Sequence, residues 1–483
     1  MKKKSLIVCL AMAAMLAFAA CGGKEEPAPS EDKQVSTFGD TTATPVPTEA
    51  PTEAPATPTP VPTEAPKATE APKATEAPVA TEAPAVTEAP AVTEAPAAGD
   101  ENPTVGVPDN TGEEEQVSEM IQRSLMQTGN NYRLKRAIEK ARNGEEVVIA
   151  YIGGSITEGA NAAPRNTKCY AYLSYEYFKN TFANGGDNVK FVNAGLSGTP
   201  STVGLARYDK DVLAKVGEPD IVFVEFAVND GDDPTKGDCF ESLVLNSLQG
   251  EKDPAVVLIF SVFKSKWNLQ STLAPVGTHY NLPMISIKDA VLPALSSGEL
   301  TEAEFFSDIY HPTNAGHQLM ADCINYMFDV VDAEPASLED ITIPDTPKIG
   351  NSFVGFKVLD STTEGVVAGG FATKDSALSG PSFKDNWMKK STDANEALKA
   401  TVTCKNAILY FKSSSSSVYG KADVFVDGNK VATLNGYSTG GWNNPQLKIL
   451  FDEDTAKEHT IEVKMAQGDE GKAFTVLAIG YTE

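Results

Sequence analysis

The sequence predicts an α/β domain, with a parallel sheet covered by helices on both faces, followed by an antiparallel β-sandwich or jelly roll. Three observations carry this reading. Over residues 118–335, apolar runs without polar alternation recur between helix-length stretches. That is the pattern of strands buried on both faces and joined by right-handed crossovers. From residue 350 the texture changes to short β-type runs separated by turn signals. Between the two lies the polar, proline-bearing "AEPASLEDITIPDTPK", which marks a linker at 336–349.

The chain begins "MKKKSLIVCLAMAAMLAFAACGG". Lysines, a short apolar stretch and small residues before a cysteine give residues 1–20 the layout of a secretory signal, too short and wrongly flanked for a spanning helix. "FAAC" resembles a bacterial lipobox, which implies that Cys21 is lipidated and holds the mature protein on the outer face of the cell membrane. Cleavage near Ala20 without a lipid is the alternative. Residues 21–117 form the next segment, built from Thr41 to Ala98 on "TEAP" units that soon repeat every six residues. Proline at that density excludes a helix, and alanine, threonine and glutamate cannot bury a core. The segment therefore reads as an extended stalk of about 3.1 Å per residue, on the order of 180 Å at most.

Net charge is −26, and from Asp40 to Glu115 fifteen acidic residues face only Lys67 and Lys73, a balance of −13. The folded part is thus moderately acidic, with no basic patch to take nucleic acid or anionic lipid as a partner. Cys169, Cys239, Cys323 and Cys404 are widely spaced, without a CxxC pair, which argues against structural zinc. Nothing in the sequence picks disulfide partners or sets an oligomeric state.

Within the first domain the strand-like runs are "EVVIAYI", "VKFVNA", "DIVFVEFA", "AVVLIFSVF" and "PMISI". Helix-like stretches at 169–183, 201–216 and 314–331 lie between or after them. The second domain offers "FVGFKVL", "ALKATVTC", "AILYFKS", "KADVFVDGNKVATL", "PQLKILF", "HTIEVKMA" and "FTVLAIGYTE". Asp427-Gly428 between alternating runs is a hairpin signal.

The chemistry collects where the parallel strands end. "VVIAYIGGSITEG" runs into Gly153, Gly154 and Ser155; on this stretch alone, Ser155 could equally be the N-cap of a strand-to-helix turn. "NAGLSGTPS" brings Gly195 and Gly198, "EFAVND" brings Asn229 and Asp230, and "FFSDIYHPTNAGH" brings Asp308, His311 and His317. In a parallel sheet these ends share one edge, over one crevice. A hydroxyl, an imidazole, a carboxylate and amide donors are what acyl transfer requires. Only four histidines are present. His279 belongs to the opposite sheet edge, His459 to the second domain and His317 to the first turns of the last helix, which leaves His311 as the base. So few histidines argue against a metal site.

"GGSIT", "NAGLSGTPS", "FAVND" and "DIYHP" resemble, in order and spacing, the four conserved blocks of the SGNH hydrolases, also called the GDSL esterase/lipase family, over about residues 145–330. The resemblance implies a flavodoxin-like three-layer domain with Ser155 as nucleophile, His311 as general base and Asp308 as its orienter. It implies an oxyanion hole from the backbone N–H of Ser155, the backbone N–H of Gly198 and the side-chain amide of Asn229, with Gly195 as the other candidate for the glycine donor. No cofactor or metal is called for. Two positions depart from the family pattern: Gly154 stands where the family has aspartate, and Ala227 where it has glycine.

A stalk and a β-sandwich beside such a domain resemble surface enzymes that trim plant polysaccharides. The expected substrate is an acylated polysaccharide, with O-acetyl esters on xylan or mannan foremost. Trp442, in the loop "GYSTGGWNNPQ", and Trp387 are the candidate glycan contacts. The alternatives are a lipase or lysophospholipase, and a glycan-binding surface protein without catalysis.

Overall fold

The computed structural model describes residues 117–483. The expectations for the signal, for Cys21 and for the stalk up to residue 116 lie outside the described residues.

Strands β1 (Leu125–Gln127), β2 (Val147–Gly153), β3 (Val189–Gly195), β4 (Ile221–Glu225), β5 (Ala255–Phe260) and β6 (Met284–Ser286) form one sheet in the order β1-β6-β5-β4-β2-β3. β2 to β6 are parallel. Counted along the chain, those five lie in the order 2-1-3-4-5, the flavodoxin-like arrangement, which reverses between β2 and β4. Every residue of β2, β4 and β5 is buried, as their unbroken apolar runs require. Side chains alternate across the sheet: Val147, Ile149 and Tyr151 enter one core with the helices Tyr132–Arg142, Tyr170–Phe182 and Asn314–Ala333. Ala150 and Ile152 enter the other, with Ser201–Tyr208, Asp238–Leu248 and Gln270–His279.

One strand departs from the parallel expectation. β1 pairs antiparallel with the edge strand β6. A β strand exposes unpaired backbone groups at a sheet edge, and three residues suffice to cover β6.

The C-terminal part comprises β7 (Lys357–Leu359), β8 (Trp387–Lys389), β9 (Leu398–Ser414), β10 (Lys421–Val426), β11 (Asn429–Asn435), β12 (Trp442–Met465) and β13 (Phe474–Thr482), all antiparallel. The expected short strands are partly fused. "ALKATVTC" and "AILYFKS" are the two halves of β9, and "PQLKILF" and "HTIEVKMA" the two halves of β12. β12 carries extra residues between Asp452 and Lys457 opposite β9, and such irregularities let a strand pair bend without ending. The bend folds the sheet over itself, so that Leu398 and Ala400 from one half of β9 share a core with Leu409 and Phe411 from the other. At the expected hairpin, Asp427 and Gly428 both adopt positive φ (51° and 78°), with Val426 opposite Asn429, as a type I′ turn demands.

The two parts share apolar surface. Phe353, Phe356, Phe383, Ile408 and Tyr410 belong to the same buried cluster as Val203, Leu205 and Phe226, and the Tyr410 hydroxyl donates to the carbonyl of Thr202 at 2.9 Å. Residues 336–349 contain no helix or strand but are fastened down. Asp340 pairs with Arg133 at 2.7 Å, and the buried Glu241 carboxylate accepts the N–H groups of Lys348 (2.6 Å), Ile349 and Gly350 (2.9 Å). Among the described residues the four cysteines, Cys169, Cys239, Cys323 and Cys404, are buried and free.

Candidate active site

Ser155 opens a four-residue helical turn directly after β2, and Asn229 follows β4. Both therefore stand at the reversal of strand order, where open α/β sheets leave a crevice. Asp308, His311 and Ser155 form a hydrogen-bonded chain. His311 Nε2 lies 2.9 Å from Ser155 Oγ, and His311 Nδ1 lies 2.9 Å from Asp308 Oδ2. The three-residue spacing of Asp308 and His311 becomes a tight turn, in which Asp308 Oδ1 also accepts the N–H groups of Tyr310 and His311, each at 2.7 Å. Burial pushes the Asp308 carboxyl up, but the imidazole and these two N–H groups outweigh it and hold the group below its ordinary value. An anion at this position keeps the imidazole in the tautomer whose Nε2 can accept a proton from serine.

The N–H groups of Ser155 and Gly198 and the side-chain amide of Asn229 donate no hydrogen bond within the described residues. Gly195 is different: its N–H donates to Asn193 Oδ1 at 2.8 Å, so it is not free to receive an oxyanion. Glu158, in the same turn as Ser155, sets the position of Gly198 by accepting the N–H of Ser197 at 2.9 Å and its hydroxyl. Gly198 has φ +65°, and a Cβ there would fall 2.9 Å from the Trp442 ring. Both facts call for glycine.

The departure at Gly154 has a local reason. A Cβ at 154 would lie 2.1 Å from Asn229 Oδ1 and 2.7 Å from its Nδ2. Asn229 thus packs directly on the backbone that precedes Ser155, in the space an aspartate would need.

Beneath the turn lies a buried polar layer. Thr157 Oγ1 lies 2.8 Å from the Tyr170 hydroxyl and donates to Glu225 Oε2 at 3.2 Å. Burial pushes the Glu225 carboxyl up to about 7. His317 stacks on Tyr170, accepts the Tyr170 N–H on Nδ1 at 3.4 Å and donates from Nε2 to the Ala160 carbonyl at 3.2 Å. Burial drives its pKa down to about 4, so at neutral pH it is an uncharged packing group. Arg207, fully buried, donates to the carbonyls of Gly153 (2.9 Å) and Ala194 at the ends of β2 and β3. It pairs with Asp211 at 3.3 Å, which accepts the Ser382 hydroxyl of the C-terminal part at 2.5 Å.

Trp442 is 46% exposed and lies against Gly198, so the C-terminal part supplies a wall of the crevice. Trp387 has to be corrected as a glycan contact. It is 3% exposed, in β8, within the core of the antiparallel sheet, where no ligand reaches its ring. Asn161, Glu158, Asn193 and Arg207 were not singled out from the sequence. Asn161, at φ 65°, donates to Asp308 Oδ2 at 2.8 Å. Asn193 opens one motif block and Glu158 directly follows another, so both could have been found there; Asn161 and Arg207 carry no such signal. Among the described residues, no group of three His, Cys, Asp or Glu side chains is arranged to hold a metal ion.

No curated protein matches the chain. Two of the solved structures that resemble the chain match it over most of its length. One is a two-domain esterase active on acetylated mannans, 28% identical, with TM-score 0.67, the match covering 75% of this chain and 99% of that one. The other is such an esterase co-crystallized with mannopentaose, 28% identical, TM-score 0.66, covering 75% and 98%. Residues 151–319, which carry Ser155, Gly198, Asn229, Asp308 and His311, match the model of the GDSL-like Lipase/Acylhydrolase family.

Proposed function

We propose that this protein is a serine esterase that removes O-acyl groups, O-acetyl foremost, from polysaccharides such as mannan or xylan. The observation that carries the reading is the chain Asp308–His311–Ser155, with hydrogen bonds of 2.9 Å on both sides of the imidazole. In the reaction His311 Nε2 takes the Ser155 proton as Oγ attacks the ester carbonyl. The oxyanion is met by the N–H groups of Ser155 and Gly198 and by the Asn229 amide. His311 then delivers the proton to the departing sugar oxygen, leaving an acyl-serine that water cleaves by the same route in reverse. Asp308 stays ionised throughout and steadies the imidazolium.

Polysaccharide as the substrate is supported by the likeness, over both parts of the chain, to an esterase active on acetylated mannans, and by the exposed Trp442 beside Gly198. Attachment to the outer face of the cell membrane through a lipid on Cys21 completes the proposal and rests on the sequence alone. Acetate release from acetylated mannan and xylan, measured beside longer-chain esters, tests the reading. Release by the native protein that outpaces the longer esters and is absent in Ser155→Ala is expected. Faster turnover of long acyl chains would refute it.

A further inference from the structure

The third tryptophan, Trp267, lies in the loop after β5 and is 40% exposed. Its ring lies over Gly231, where a Cβ would fall 2.8 Å from it; Gly231 belongs to the turn that follows Asn229. Trp267 does not stand alone. Phe263 stacks beside it (ring centroids 5.9 Å, 28°) and meets Tyr310 edge-on (5.0 Å, 70°). Tyr310 immediately precedes His311, whose ring is 6.1 Å away. Backbone hydrogen bonds hold the strip in place: the Phe263 N–H donates to Trp267 O and the Lys264 N–H to Ile309 O, both at 3.2 Å. An aromatic surface therefore leads outward from the edge of the catalytic imidazole.

Sheet order sets its direction. Gly198, covered by Trp442, follows β3, whereas Gly231 and Trp267 follow β4 and β5. Ser155, after β2, lies between them, so the two exposed tryptophans stand on opposite flanks of the nucleophile. Chemistry then assigns the occupant. The group that His311 protonates on departure is the sugar oxygen, which leaves as a hydroxyl, so the polymer lies on the imidazole side, where this strip begins. Flat rings offer apolar faces to the C–H surfaces of sugars at small conformational cost.

We infer that Trp267, backed by Phe263 and Tyr310, binds the polysaccharide chain beyond the sugar that carries the ester, on the flank of Ser155 opposite Trp442. The inference rests on the polysaccharide-esterase reading. It is tested by kcat and KM for acetate release from acetylated mannooligosaccharides of increasing length and from the polymer, with p-nitrophenyl acetate as a chain-free reference. In Trp267→Ala the ratio of oligosaccharide to p-nitrophenyl acetate kcat/KM should fall about tenfold or more, the scale of a lost aromatic anchor. The loss should sit mainly in KM and grow with chain length. Trp267→Leu, which keeps apolar bulk over Gly231 without a flat ring, should lose as much, and Trp267→Phe should retain most of the ratio. An unchanged ratio at every length, or full retention by Trp267→Leu, overturns the inference and leaves the esterase reading standing. Native protein that cleaves p-nitrophenyl acetate but releases no acetate from any glycan overturns both.

Discussion

Replacing Glu225 by glutamine should leave stability nearly unchanged in acid and raise it at alkaline pH. Glu225 closes β4 with no exposed surface. Thr157 donates to its Oε2 at 3.2 Å, and hydrogen bonding from Ser261, Thr157 and the Ala227 N–H lowers the group by less than burial raises it. Burial therefore favours the protonated form and lifts the group from 4.5 to about 7. A displacement of that size corresponds to about 3 kcal/mol. The sign follows from linkage: a carboxyl raised on folding contributes stability that is fully present below its unfolded pKa and is lost as pH rises through the folded one. Wild-type protein should thus weaken between pH about 5 and about 8 through this group, while Glu225→Gln, which cannot ionise, should not. Urea unfolding of both proteins at the two pH values measures the difference. The expectation is a gap within about 1 kcal/mol in acid, set by hydrogen-bond quality, opening to about 3 kcal/mol in favour of glutamine in base. A gap of equal size at both pH values would refute the reasoning, because it would mean that Glu225 is already ionised in the folded protein at the lower pH.

Other substitutions separate the roles assigned above. Asn229→Ala should lower kcat by about a hundredfold or more with an unchanged melting temperature, since it removes one oxyanion donor; near-full rate in the folded variant would take Asn229 out of the mechanism. Gly198→Ala must hold positive φ at a cost of about 1–2 kcal/mol and displace Trp442, so acetate release should fall at least about tenfold, measured beside a melting curve that stays cooperative. The two C-terminal tryptophans should behave oppositely. Trp387→Ala should destabilise by about 3–5 kcal/mol as a core truncation, whereas Trp442→Ala should change stability by less than about 1 kcal/mol and raise KM for acetylated oligosaccharides.

The order and spacing of the site were legible because a parallel sheet delivers every strand end to one edge. Four motifs scattered from residue 153 to residue 312 could be gathered on that ground alone, and Ser155, His311 and Asp308 do meet there at 2.9 Å. Contacts made by side chains crossing between elements were not legible. Asn161 reaches Asp308 from a loop at positive φ, and no periodicity marks it. Trp442 and Trp387 look alike in sequence, yet one stands at the start of β12 beside Gly198 and the other lies in the core. That difference is decided by how β9 and β12 bend. The fusion of those strands escaped notice because the polar bend "DEDTAKE" reads as a loop, although its backbone continues in the strand. β1 is three residues without alternation, too short to register as a pattern.

The most direct test of the central claim is to look for the acyl-enzyme itself. The protein is mixed with acetylated mannan, quenched rapidly in acid and digested, and the peptide bearing Ser155 is examined by mass spectrometry. The account predicts an acetyl group on Ser155 Oγ that disappears as substrate is exhausted. Sustained acetate release with Ser155 unmodified at every time point, or with the acetyl group on another residue, would contradict it.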